Sequence, residues 1–166
     1  MPLFSNDLGV DLGTANVLIY AAGKGIVVRE PAVVAVDKNT GRILQVGSAA
    51  RNMLGRTPGN LVAMQPVKGG VISDHEMTVR MLQVLFRTAT KSGLFTPKPR
   101  VVICVPSGVT EVEERSVINA AIEAGARRVY LIEEPLAAAL GAGLDIRGPK
   151  GHLIVDIGGG TTDIAV

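Results

Sequence analysis

Two short segments at opposite ends of the chain, DLGTAN at Asp11–Asn16 and DIGGGTTD at Asp156–Asp163, constrain the fold more than anything else. Each follows an apolar run, Leu8 to Val10 and Leu153 to Val155, and each leads through a Gly/Thr turn into another. That pattern predicts two β-hairpins whose tight turns expose backbone N–H groups and small hydroxyls, with a carboxylate at the root of each. Successive N–H dipoles that no bulky Cβ obstructs make a cradle for an anion. Two such cradles predict one polyphosphate gripped from both sides. Gly13, Thr14, Ala15 and Asn16 would supply one set of contacts, and Gly158, Gly159, Gly160 and Thr161 the other. Asp11 and Asp156 then fall where a Mg²⁺ ion riding on the phosphates would sit, since Mg²⁺ keeps several waters and takes few protein ligands. The plainer alternative for either Asp is a carboxylate that bonds the N–H groups of its own turn.

The composition narrows the function classes. Of 166 residues, 47% are hydrophobic, enough for a buried sheet and too many for a disordered chain. Aromatic residues at 3% leave no stacking platform for single-stranded nucleic acid, and a net charge of +2 marks no basic face, so no nucleic-acid partner is expected. Cys104, the one cysteine, lies inside an apolar strand and reads as a buried thiol in a reducing compartment. No basic segment with a following apolar stretch opens the chain, and no apolar run approaches membrane-spanning length, so a soluble cytoplasmic protein is expected.

Three short strands are expected at Leu8–Leu12, Val17–Tyr20 and Ile26–Val28, followed by Ala32–Val36, a polar turn from Asp37 to Gly41, and Ile43–Val46. Ser48 is expected to cap a short helix through Leu54, and a Gly/Pro-punctuated stretch runs from Gly55 to Gly70. Asp74 should cap a helix over His75–Thr90, with Met77, Met81, Leu82, Leu85 and Phe86 on its inner face. Arg100–Val105 reads as a central strand covered on both faces. Thr110 and Glu113 form a capping box for a helix that Gly125 ends. Val129–Ile132, a helix over Glu134–Leu140 and the strand Leu153–Ile157 complete an α/β domain with a mixed sheet carrying a small inserted lobe. Glu134, opening a helix after a buried strand, has the chemistry to orient or deprotonate a water that attacks a γ-phosphate. A carboxylate that merely favours the helix N-terminus is the alternative, and Glu133 competes with it. Leu94 and Phe95, two bulky apolar residues in a loop between Lys91 and Lys98, would either dip into an anionic bilayer or fold onto the core.

These residues also carry a family resemblance. DLGTAN resembles the first phosphate motif of the actin, heat-shock chaperone ATPase and sugar kinase superfamily. VDIGGGTTDIAV resembles its second phosphate motif, and LIEEPLAAALGAG its connecting helix. GKGIVVREPAVVAV, NMLGRTPGN and KPRVVICVPSGVTEVEER bring the likeness closest to the rod shape-determining bacterial actins, the MreB family. The resemblance implies the first actin-like domain: a ribonuclease-H-like subdomain (1–31 and 73–166) carrying a smaller inserted one (32–72), with a second domain absent. It implies ATP and Mg²⁺ as cofactors, Asp11 and Asp156 at the metal, and Glu134 rather than Glu133 as the residue that positions the hydrolytic water. It also implies Leu94 and Phe95 in a membrane-inserting loop, self-assembly into filaments, and a place at the inner face of the cytoplasmic membrane with cell-elongation and cell-wall synthesis proteins. Within the superfamily, a chaperone ATPase or a small-molecule kinase is the rival reading, and a truncated product without catalysis is another.

Overall fold

The computed structural model describes residues 7–53, 59–90 and 97–166. Three antiparallel strands open the chain: β1 (Asp7–Leu12), β2 (Asn16–Ala21) and β3 (Gly25–Pro31). Next come β4 (Val34–Asp37), β5 (Ile43–Val46), the short helix α1 (Ser48–Arg51) and β6 (Leu61–Met64). A small hairpin, β7 (Val67–Lys68) and β8 (Val71–Ile72), leads into α2 (His75–Thr90). Then β9 (Arg100–Val105), α3 (Glu111–Glu123), β10 (Arg128–Glu133) and α4 (Glu134–Gly141) alternate. A last hairpin pairs β11 (Ile154–Ile157) with β12 (Thr162–Ala165).

The main sheet has the order β10-β9-β1-β2-β3. Its β1, β9 and β10 run parallel, and β2 and β3 return antiparallel. Parallel neighbours need crossovers, which α2 and α3 supply. Both helices start where the sequence places them. Asp74 Oδ1 accepts from Met77 N at 3.0 Å, and the Thr110–Glu113 capping box is complete. The inner face of α2 packs with Val10, Ile19, Val101 and Ile103 in one core, where Met81, Leu82, Leu85 and Phe86 are all buried. Burying such side chains contributes about 1.5–3 kcal/mol each.

A second sheet, β5-β4-β6, is built from the middle of the chain, with Val33, Ala35 and Ala50 forming a small cluster beneath it. The polar turn from Asp37 is as expected, closed by Asn39 N to Asp37 Oδ1 at 2.8 Å.

Four local expectations are corrected. Ser48 does not cap α1. Gly47 stands at the N-cap without a side-chain bond, and Glu30 Oε2 accepts from Ser48 N at 2.7 Å, so a carboxylate from another strand takes the role. Leu61–Met64 is a strand, not part of an irregular stretch, and it pairs antiparallel with β4. The strand expected at Ala32–Val36 starts at Val34, because β3 continues through Pro31. Finally, β9 is central but covered on one face only: Val101, Ile103 and Val105 are buried, whereas Val102 is 40% exposed. Leu54 lies outside the described residues.

Candidate functional site

The open face of the main sheet carries the site. Strand register sets Ile132, Cys104, Asp11, Leu18 and Arg29 in one row across five strands, all on that face. One step beyond Asp11, β1 turns through Gly13, Thr14 and Ala15 into β2. Ala32 N bonds Ala15 O at 3.0 Å and pins this turn to the start of the small lobe.

The second turn belongs to the β11–β12 hairpin, in which Asp156 pairs with Asp163 and Gly158 N bonds Thr161 O at 2.9 Å. Among the described residues this hairpin shares no ladder with the main sheet. The two turns instead meet tip to tip. A Cβ built on Gly159 would overlap the Ala15 methyl, and one on Gly160 would come within 2.7 Å of Thr14 Oγ1. None of Gly13, Gly158, Gly159 or Gly160 is among the glycines with positive φ. Glycine is needed there for close approach and not for a left-handed backbone.

A third hairpin, unrecognised in the sequence, props both turns. Gly69 and Gly70 link β7 to β8 with φ of 55° and 77°, the left-handed pair of a type I′ turn. Gly70 N donates to Thr14 Oγ1 at 3.0 Å, and a Cβ on Gly70 would meet Pro106 at 2.5 Å and Thr161 at 3.1 Å. Val-Lys-Gly-Gly-Val-Ile was the available signal, two strand-formers on each side of a two-residue glycine loop.

Between the turns lies a cavity of about 420 Å³. Asp11, Asp156 and Glu134 line it together with residues of both glycine turns, Arg29 and Cys104. Burial raises the Asp11 carboxyl above its ordinary range, and Asp156 raises it further. Burial, then Asp11, Asp163 and Asp156, push Glu134 up to about 7. Cys104 is half-buried and faces this cavity instead of the core. Burial and the carboxylates Asp11, Glu134 and Asp156 push its thiol up to about 11. Glu133 points elsewhere: its Oε2 accepts from Ser107 Oγ at 3.2 Å, and it lines a different cavity behind α4.

A site where Asp156 raises Asp11 and both raise Glu134 is short of a cation, and hard oxygen donors suit Mg²⁺. Among the described residues no trio of ligating side chains stands close enough to hold an ion alone. The donor set therefore fits an ion that brings phosphate oxygens and waters with it. Leu94 and Phe95 lie outside the described residues, and no described helix is long and apolar enough to cross a membrane.

The sheet order, the inserted lobe and the paired phosphate-type turns define an actin-like ATPase fold. Known structures agree. A crystal structure of MreB5 of Spiroplasma citri bound to ADP superposes with a TM-score of 0.86 at 43% identity, over 95% of this chain and 47% of that one. The MamK double helical filament gives 0.80 at 27% identity, over 95% and 48%. The MreB/Mbl protein family matches residues 5–166, and the chain belongs to that family. It is 56% identical over 164 residues to the cell shape-determining protein Mbl of Bacillus subtilis (strain 168), covering 99% of this chain and 49% of that protein. It is 51% identical over 168 residues to the cell shape-determining protein MreB of Escherichia coli (strain K12), covering 99% and 48%. The chain thus spans about half the length of the curated relatives it matches.

Proposed function

We propose that this chain is the ATP-binding first half of an actin-like protein whose filaments maintain rod cell shape by directing cell-wall synthesis. The observation that carries this reading is the tip-to-tip packing of two glycine turns over three carboxylates. An ordinary hairpin has no need of that arrangement, and a polyphosphate with its cation satisfies both parts of it. Relatives whose structures hold ADP or AMPPNP support nucleotide as the ligand, and the MamK filament supports self-association.

In this reading Gly13 to Asn16 and Gly158 to Thr161 donate N–H and hydroxyl hydrogens to the β- and γ-phosphates. Asp11 and Asp156 would hold a Mg²⁺ ion, which would supply positive charge against the phosphate oxygens. Glu134 orients the water that attacks the γ-phosphate, accepting a hydrogen bond from it as a carboxylate. Residues 1–31 and 73–166 form the ribonuclease-H-like subdomain, and 32–72 the inserted one. Hydrolysis would act as a timer on filament state, in a cytoplasmic protein peripheral to the inner face of the membrane, beside the cell-elongation and wall-synthesis machinery. Leu94 and Phe95 would anchor it there. Replacing both by Ser in a protein carrying both halves should cut co-sedimentation with anionic liposomes without changing ATPase activity, and equal sedimentation would remove the anchor.

The primary test is a titration of this chain with Mg-ATP followed by backbone amide NMR. Phosphate contacts on an open face are screened, so saturation is expected only near millimolar, roughly −4 kcal/mol. Shifts should concentrate in residues 13–16 and 158–161. Gly159→Val, which forces the two turns apart, should abolish them. Shifts absent from both turns at 10-fold higher nucleotide would overturn the reading.

A further inference from the structure

We propose that Arg29 is a phosphate-binding residue of this site, reaching across Leu18 from β3 to a phosphoryl oxygen of the bound nucleotide. The inference rests on the nucleotide reading above and adds to it a contact from outside both glycine turns.

Three observations carry it. The first is placement. Asp11 pairs with Leu18, and Leu18 with Arg29, so Arg29 stands two strands from Asp11 in the same row and on the same face. Two strand spacings are about 10 Å. A guanidinium on a long stem can cover much of that gap, and both residues line the same cavity.

The second is a β-bulge that makes this placement possible. Tyr20 pairs with Ile26 but Ile19 pairs with Val28, so Val27 is an extra residue in β3. Without it, the register would bring Val28 opposite Leu18 and turn Arg29 to the other face. With it, Val28 is 4% exposed in the core and Arg29 faces the cavity. A one-residue slip exchanges the two faces of a strand, and bulges re-aim side chains beside functional sites.

The third is charge. Asp11, Glu134 and Asp156 line the cavity, and Arg29 is the one basic side chain among its lining residues. No hydrogen bond or ion pair engages the Arg29 side chain among the described residues, and the residue is exposed. Three carboxylates repel a polyphosphate. A free guanidinium on the opposite rim counters that repulsion, and its planar fork suits phosphate oxygens.

The test compares this chain with Arg29→Met, which keeps the apolar stem and removes the charge, and Arg29→Lys, which keeps the charge and removes the fork. Each is titrated with Mg-ATP, Mg-tripolyphosphate and adenosine. Arg29→Met should weaken Mg-ATP and Mg-tripolyphosphate alike by five- to tenfold and leave adenosine unchanged. Arg29→Lys should recover part of the loss. The salt dependence of Mg-ATP binding should also become shallower in Arg29→Met, since one ion contact is gone. Equal Mg-ATP affinity for parent and Arg29→Met would overturn this inference and leave the nucleotide reading standing. A loss confined to Mg-ATP, with tripolyphosphate unaffected, would overturn the phosphoryl assignment. No saturable Mg-ATP binding by the parent would overturn both readings together.

Discussion

Glu134 is a carboxylic acid on the edge of ionisation at neutral pH, because burial and three neighbouring carboxylates oppose its charge. In the folded chain its pKa is pushed from 4.5 to about 7, so between those values the folded state keeps a proton the unfolded state has lost. Its contribution to stability is therefore complete below pH 4.5 and lost as the pH rises through about 7. Because the group is partly solvated, the effect is screened to about 1 kcal/mol. Glu134→Gln should accordingly raise the urea midpoint at pH 8 and leave it unchanged at pH 4.5. The same substitution in a protein with both halves should keep ATP affinity and reduce hydrolysis by about a hundredfold. Unchanged single-turnover kinetics would return the catalytic role to another group. The sequence alone left Glu134 level with Glu133, because adjacent residues at a strand–helix junction share every local signal. Only the turn of the chain decides which of them enters the cavity.

At the scale of elements, the two glycine-turn hairpins at Asp11 and Asp156 were legible, whereas the β7–β8 hairpin and the long-range supports were not. The turns after Leu12 and Ile157, the capping box at Thr110 and the inner face of α2 each depend on residues within a few positions, and sequence pattern reads such signals directly. By contrast, Glu30 reaches Ser48 from 18 positions away, and Leu61–Met64 lies among turn-formers that hide a strand whose partner is β4. The bulge at Val27 has no sequence signature at all. The β7–β8 hairpin allows a quantitative test, because Gly70 combines a positive φ with close packing. Gly23 also has a positive φ, 78°, but nothing lies within 4 Å of where its Cβ would be. Gly23→Ala should cost about 1 kcal/mol, the strain of a left-handed backbone. Gly70→Ala should cost about 2–3 kcal/mol, since Pro106 and Thr161 must also move. Urea denaturation of both variants separates backbone strain from packing, and equal losses would show that the third hairpin does not brace the site.

Across the whole molecule, stability is unevenly distributed. The main sheet is sealed on one face by α2 and α3, with Ile19, Ile103, Val17 and Val101 fully buried. Among the described residues the β11–β12 hairpin has two strands, and its outward face shows Val155 at 49%, Ile157 at 77% and Ile164 at 66% exposure. An isolated two-stranded hairpin is marginal in water, and this one is held by α4, by the bond from Ser107 N to Asp163 Oδ1 at 3.1 Å, and by its contact with the first turn. It should open by local unfolding well before the sheet does. Amide hydrogen exchange should therefore show β11 and β12 exchanging far faster than β1 and β9. A ligand that bridges both turns binds only the closed hairpin, so it must stabilise that state by mass action. At ten times its dissociation constant Mg-ATP should slow exchange in β11 and β12 by about tenfold, and exchange in β9, which reports opening of the sheet that carries the first turn, by a similar factor. Equal protection of hairpin and sheet in the free chain would mean that α4 alone locks the second turn. Unchanged hairpin protection with nucleotide bound would mean that the phosphates are held by the first turn, and the pairing of the two motifs would lose its functional meaning.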